Sequence, residues 1–139
     1  MEVLTHKRKL FNDSCNTLNR MIAMRPKLHH ADHNEADVRD LFTAGVIHHF
    51  ELTYETYWKY LKQYLYDKHG IDVASPKSVF QSCFKVKILT EDLANQLIRL
   101  ADIRNQTTHT YDRAMAQIVC EQIITYHHVL DQILQVIKE

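Results

Sequence analysis

Glycine and proline are scarce, two of each in 139 residues. An all-β sandwich or barrel needs many turns of special geometry, so that architecture is excluded. Charge of one sign is lacking too: seventeen Lys and Arg balance seventeen Asp and Glu. No global field therefore draws the chain onto nucleic acid or an anionic membrane, and such contact would need a local basic patch. No stretch approaches 18 consecutive apolar residues. The start, MEVLTHKRKLFND, lacks the apolar run and small-residue cleavage site of a signal peptide. Cysteine is limited to Cys15, Cys83 and Cys120, an odd number with no pair at metal-ligand spacing. Each falls in an apolar helical pattern, so buried free thiols in a reducing cytoplasm are expected.

What is present is apolar, 45% of residues, with 24% charged. Disorder and low complexity are excluded by that composition. At 16.5 kDa the folded surface should be roughly 7,500 Å² against about 24,000 Å² extended, enough burial for one core. Residues 1–139 are read as a single domain, and helix is the class that remains.

Five helical stretches can be placed. The first, Val3 to Met24, carries Phe11, Cys15, Leu18 and Ile22 on one face. Arg25–Pro26 blocks its continuation, and Lys27 to Asn34 reads as a polar loop. The second, Glu35 to Lys68, puts Phe42, Val46, Phe50, Tyr54, Tyr57, Leu61 and Tyr64 inward, widened by Trp58 and Leu65. His69–Gly70 is its stop, the glycine standing where a left-handed cap is needed. Ser75–Pro76 opens a third helix with Val79, Phe80, Cys83 and Phe84 on its apolar side. Thr90 caps a fourth, with Leu93, Leu97 and Leu100 inward. The last, Asp112 to Lys138, has Ala116, Val119, Ile123, Tyr126, Leu130, Ile133 and Ile137 at bundle spacing. The expected fold is all-α: an up-and-down four-helix bundle with an additional short helix.

One segment breaks the pattern. Arg104-Asn105-Gln106-Thr107-Thr108-His109-Thr110-Tyr111-Asp112 is rich in poor helix formers, and Asp112 is a natural N-cap. In a continuous helix Arg104 and His109 would diverge by about 140°. A break would let both point into one cleft or meet their counterparts across a dimer axis. Such lapses in local consistency are often functional. Arginine offers a planar fork of donors that fits a phosphate, and histidine exchanges protons near neutral pH. Together they suit metal-free RNA cleavage, the arginine neutralising charge at phosphorus. One histidine cannot easily serve both faces of an in-line displacement, whereas a two-fold dimer would bring two. In the plain structural alternative, Arg104 caps carbonyls and His109 makes a structural hydrogen bond.

Other residues carry paired readings. Glu51 and Glu55 share a helix face; Glu51 could orient Arg104 or His109, or Glu55 could simply pair with Lys59 on a solvated flank. His29, His30 and His33 cluster in one loop but lack the accompanying pattern of a zinc site, so no metal is assigned. His48–His49 and His127–His128 read as boundary residues. Trp58 and its neighbouring tyrosines could stack on bases, or fill the core. Lys85, Lys87, Arg99 and Arg113 are the candidate basic patch around the motif, or ordinary surface charge. Asn105 holds the loop or contacts a ribose.

Arg104-x4-His109-x-Tyr111 resembles the R-x4-6-H signature of the HEPN superfamily, in the R-x4-H-x-Y form of HepT-like toxins. Phe50 to Lys59, FELTYETYWK, is similar to the FExTYExxWK segment of the nucleotidyltransferase substrate-binding family. Ser75-Pro76-Lys77, followed by Val79, Phe84 and Ile88, is similar to that family's SPR-type helix start. The likeness runs from about Val38 to Tyr126, its three blocks in the family's order.

This resemblance implies a HEPN-like bundle that dimerises and works beside a small nucleotidyltransferase. In HepT-like members the bundle is a metal-independent ribonuclease toxin without a cofactor, and the partner silences it by moving AMP from ATP onto the motif tyrosine, here Tyr111. Arg104 and His109 would then be catalytic, with Asn105 and Glu51 supporting. RNA would be the substrate, cut to a 2′,3′-cyclic phosphate, in the cytoplasm and away from membranes. Other members carry an older description, the substrate-binding subunit of a two-chain nucleotidyltransferase. This chain has no nucleotidyltransferase carboxylate motif, so it could not perform that transfer alone.

Overall fold

The computed structural model describes residues 2–28 and 35–138. Seven helices are found there: α1 Glu2–Ala23, α2 Arg25–Leu28, α3 Glu35–His69, α4 Pro76–Lys85, α5 Glu91–Gln106, α6 Arg113–Tyr126 and α7 His128–Val136. A 3-10 turn, Thr107–His109, lies between α5 and α6, and no strand occurs among the described residues. The all-α helical bundle expected from the periodicity is thus the fold observed.

Local chemistry sets most boundaries. Ser75 Oγ accepts from the Ser78 amide at 3.3 Å, with Pro76 in the first helical position. Thr90 and Asp112 cap α5 and α6 in the same way, at 3.2 and 2.9 Å. Gly70 ends α3 at φ +65°, a left-handed conformation that costs glycine little.

Two boundaries differ from expectation. Pro26 does not open a loop directly, because it sits at the start of a further helical turn, α2. Its missing donor is not needed there, and the Lys27 and Leu28 amides reach back to the Met24 carbonyl. The rest of the expected loop, with His29, His30 and His33, lies outside the described residues. The last helix is interrupted at His127, whose ring Nδ1 lies 2.9 Å from Asn19 Oδ1 on α1. That tie accompanies a break which the apolar rhythm ignores.

Helix α3, 35 residues and about 52 Å long, is the spine. Met21 lies against Gly45, the Thr53 hydroxyl donates to the Ser14 carbonyl, and Arg8 donates to Tyr60. These pairings run in opposite directions along the two helices, so α1 is antiparallel to α3. Asn19 with His127, Cys15 with Asp131, and Arg8 with the Leu134 and Ile137 carbonyls likewise set α1 antiparallel to α7. Arg8 thereby caps the end of α7, where a cation also suits the helix dipole.

The core holds Phe11, Leu18, Val46, Phe50, Tyr57, Leu61, Leu65, Phe80, Leu97, Leu100, Ile123 and Leu130, all fully buried. Tyr60 occupies the inner position expected of Tyr64, which is only half-buried, and Phe84 stays exposed. All three cysteines are buried free thiols. Burial raises each above its ordinary value, Cys83 to about 12, and for Cys15 the Asp131 carboxylate adds to the effect.

His127 links the fold to pH. Its pKa is lowered from the ordinary 6.5, chiefly by burial; His128 pushes it the same way and Asp131 opposes. A depressed folded value means that the unfolded chain takes up the proton first. The contribution to stability is then complete above about 6.5 and lost as pH falls below it. Melting temperature should drop between pH 7 and 5, and His127→Gln should flatten that drop in thermal melts.

Candidate functional site at the broken helix

The polar segment breaks the bundle's pattern because its threonines bond to their own backbone. Thr107, Thr108 and Thr110 donate from Oγ1 to the carbonyls of Arg104, Asn105 and Thr107, at 2.7, 2.8 and 3.0 Å. Hydroxyls used this way compete with regular helix. The chain tightens into the 3-10 turn, and Asp112 restarts it as α6.

Arg104 lies in the last turn of α5 and points inward, its side chain 26% exposed. Its Nη1 donates to Thr107 Oγ1 at 2.8 Å and lies 3.2 Å from Glu51 Oε2 on α3. Arg104 Nε is buried with no hydrogen-bond partner among the described residues. Glu51 therefore faces Arg104 and not His109. Glu55 belongs to a different group, 3.5 Å from Lys59 Nζ and accepting from Trp58 Nε1 at 3.2 Å. Tyr54 is a core residue, not a base-stacking platform. Burial pushes its phenol up to about 12; Glu55 and Asp102 add to this, and nearby Arg104 opposes it.

His109 and Tyr111 occupy the other side of the break. His109 is exposed at the end of the 3-10 turn, and Tyr111 is 90% exposed. Asn105 is also exposed, its side chain unpartnered among the described residues. Beside the turn a cleft of about 310 Å³ opens between α3 and α6, lined by Asp40, His48, Glu51, Thr110, Tyr111 and Arg113 among others. Arg104 and His109 do not line it within one chain. A larger groove of about 920 Å³ lies nearer the start of α3, against Arg25, Phe42, Glu121 and Gln122, and reaches none of the motif residues.

The candidate basic patch does not assemble around the motif, and the alternative of ordinary surface charge fits better. Arg113 pairs with Asp40 at 2.8 Å, and Arg99 donates to the Tyr126 hydroxyl at 2.9 Å. Lys85 and Lys87 lie at the α4–α5 turn, the far end of α5 from Arg104, about 24 Å along a 16-residue helix. The cation beside the motif is Arg113. The threonine ladder and the place of His48 in the cleft were not read from the sequence. Threonines at 107, 108 and 110 could have signalled the first; nothing local signals the second.

Among the described residues no three His, Cys, Asp or Glu side chains gather as a metal ion would require. No described helix is long and apolar enough to cross a membrane.

The chain matches the model of a family described as nucleotidyltransferase substrate binding protein like, over residues 7–139. It is similar to a protein of Thermus thermophilus known from a crystal structure, with 28% identity and a TM-score of 0.64, covering 87% of this chain and 99% of that one. No curated protein matches it. With nearly its whole length matched, the chain belongs to the nucleotidyltransferase substrate binding protein like family.

Proposed function

We propose that this chain is a HEPN-type, metal-independent ribonuclease, the toxin of a toxin–antitoxin pair, silenced when a partner nucleotidyltransferase moves AMP onto Tyr111. The observation that carries the reading is the helix break at R-x4-H-x-Y. It leaves Arg104 fixed by Glu51 and Thr107 while His109 and Tyr111 stand in solvent. A fixed guanidinium is preorganised for charge that grows on phosphorus, and an exposed imidazole can reach a substrate's proton.

In the cleavage, the 2′-oxygen bonds to phosphorus as its proton leaves to an imidazole. The P–O5′ bond breaks, and the 5′-oxygen takes a proton. The products are a 2′,3′-cyclic phosphate and a 5′-hydroxyl, with no cofactor needed. A homodimer would bring two copies of the motif to one RNA. In the silencing step the Tyr111 phenol oxygen attacks the α-phosphorus of ATP, loses its proton, and pyrophosphate departs. The adduct places bulk and negative charge beside His109, where an RNA phosphate must enter. Buried free thiols suit work in a reducing cytoplasm.

The family description suggests a second reading, a non-catalytic subunit that presents substrate to a nucleotidyltransferase. Purified protein given RNA in EDTA separates the two. Cleavage to cyclic phosphate ends supports the nuclease, and intact RNA with unmodified protein supports the subunit. After co-production with the partner, mass spectrometry should find AMP on Tyr111 and none on Tyr111→Phe, which should still cut RNA. AMP found only elsewhere would remove this switch.

A further inference from the structure

The silencing step leaves an adenosine on Tyr111, and the chain has a recess beside that residue. Tyr111 is 90% exposed, so its ring has almost no packing of its own. With Thr110 and Arg113 it lines one wall of the α3–α6 cleft of about 310 Å³. The opposite wall is one face of α3, carrying Ala44, Ile47, His48 and Glu51 at helical spacing. We infer that this cleft seats the adenosine of the Tyr111 adduct, an inference that rests on the AMP-transfer reading above.

The lining suits each part of such a group. The phosphodiester that joins tyrosine to adenosine keeps one negative charge, and Arg113 stands two residues from Tyr111 on the same wall. The Arg113 side chain is 67% exposed and lies 2.8 Å from Asp40, so this weakly held cation can turn to a phosphate oxygen. Buried Ile47, with Ala44 and Ala116, offers apolar surface to a purine face. The carboxylates on α3 engage their cations through Asp40 Oδ2 and Glu51 Oε2. Each keeps a second oxygen able to accept from a ribose hydroxyl. His48 is exposed on the same face, where its ring can lie against the base. Apolar surface with a few converging polar groups is the usual make-up of a small-molecule site.

Size and tether point the same way. Pockets for small ligands span about 300–1,000 Å³, and this cleft, at the lower end, has room for one nucleoside. The larger groove near the start of α3 is lined by none of the motif residues. A short tether gives the attached group an effective concentration on the order of millimolar, so contacts too weak to retain free AMP suffice to seat it. Once seated, the adenosine holds its phosphodiester at the Arg113 side of the turn, two residues from His109. The negative charge then stays where an incoming RNA phosphate would need to pass.

The test uses the chain co-produced with its partner, with AMP on Tyr111 confirmed by mass spectrometry. Nuclear Overhauser contacts are expected from the adenine H2 and H8 protons to the Ala44 and Ile47 methyl groups, and their absence overturns the inference. A phosphodiesterase should free AMP about tenfold faster from modified Ala44→Phe, which fills the cleft, and from modified Arg113→Ala than from wild type. That ratio follows if the wild-type linkage is open to the enzyme about a tenth of the time. Both variants are confirmed folded by circular dichroism, and for one that misfolds or goes unmodified the contacts in wild type decide. Equal release rates from wild type and variants remove the seat and leave the silencing step standing. Tyr111 found without AMP removes both.

Discussion

On the proposed mechanism, His109→Ala should slow RNA cleavage about 10²–10⁴-fold, the usual loss when a positioned proton carrier is removed. Arg104→Ala should cost a comparable factor, about 10²–10³, because a donor fixed before the reaction is lost at the site where charge develops. Neither change should unfold the bundle. His109 is exposed, and the Arg104–Glu51 pair is partly solvated on both sides, so its removal should cost about 1 kcal/mol or less. Arg104→Lys should not restore the rate. A lysine keeps the charge but cannot hold Thr107 and Glu51 with a planar fork while offering donors to a phosphate. The double variant should be little worse than the poorer single one, since in that mechanism both groups serve one transition state. Single-turnover rates beside denaturation curves test all of this. Unchanged cleavage in either alanine variant would take the chemistry away from this motif.

The largest stability effect should come from Tyr57. Its ring is fully buried, stacked on Phe80 at 5.6 Å and edge-on to Tyr54 at 5.2 Å, with Phe11 at 5.9 Å. Tyr57→Ala empties the junction of α1, α3 and α4 and should cost about 3–5 kcal/mol. Tyr57→Phe should act oppositely. The Tyr57 hydroxyl is buried without a hydrogen-bond partner among the described residues, and burial holds its pKa far above the ordinary value. Deleting an unsatisfied buried hydroxyl while keeping the ring removes a desolvation penalty of about 1–3 kcal/mol, less the packing it provided. A gain near 1 kcal/mol would raise the melting temperature by about 4 °C in a chain of this size. A drop in stability for Tyr57→Phe would mean that the hydroxyl is satisfied after all.

The fold was legible because it is written locally. Periodic apolar residues gave the faces of α1, α3 and α5, and Ser75, Thr90, Asp112 and Gly70 gave the ends. What escaped was tertiary. The break at His127 comes with a tie to Asn19, over a hundred residues away, and no rhythm in the last helix encodes that partner. Tyr60 turns inward at the expense of Tyr64 because Arg8 awaits its hydroxyl. At the site, the weakness of the segment around Thr107 was visible, but whether Glu51 would face Arg104 or His109 was not. That choice depends on how α3 is rotated against α5, and every helix in the bundle contributes to that rotation. The basic patch failed for a simpler reason: Lys85 and Lys87 precede α5 while Arg104 stands in its last turn, so the length of that helix holds them about 24 Å apart.

The threonine ladder has a consequence for how a modifying enzyme could act. Thr107, Thr108 and Thr110 close the loop upon its own carbonyls, so its shape needs little from the helices around it. A group attached at the outward tip would find no lever into the core. It would work as a stopper does, by standing in the doorway, and its removal would restore the original state with nothing to refold.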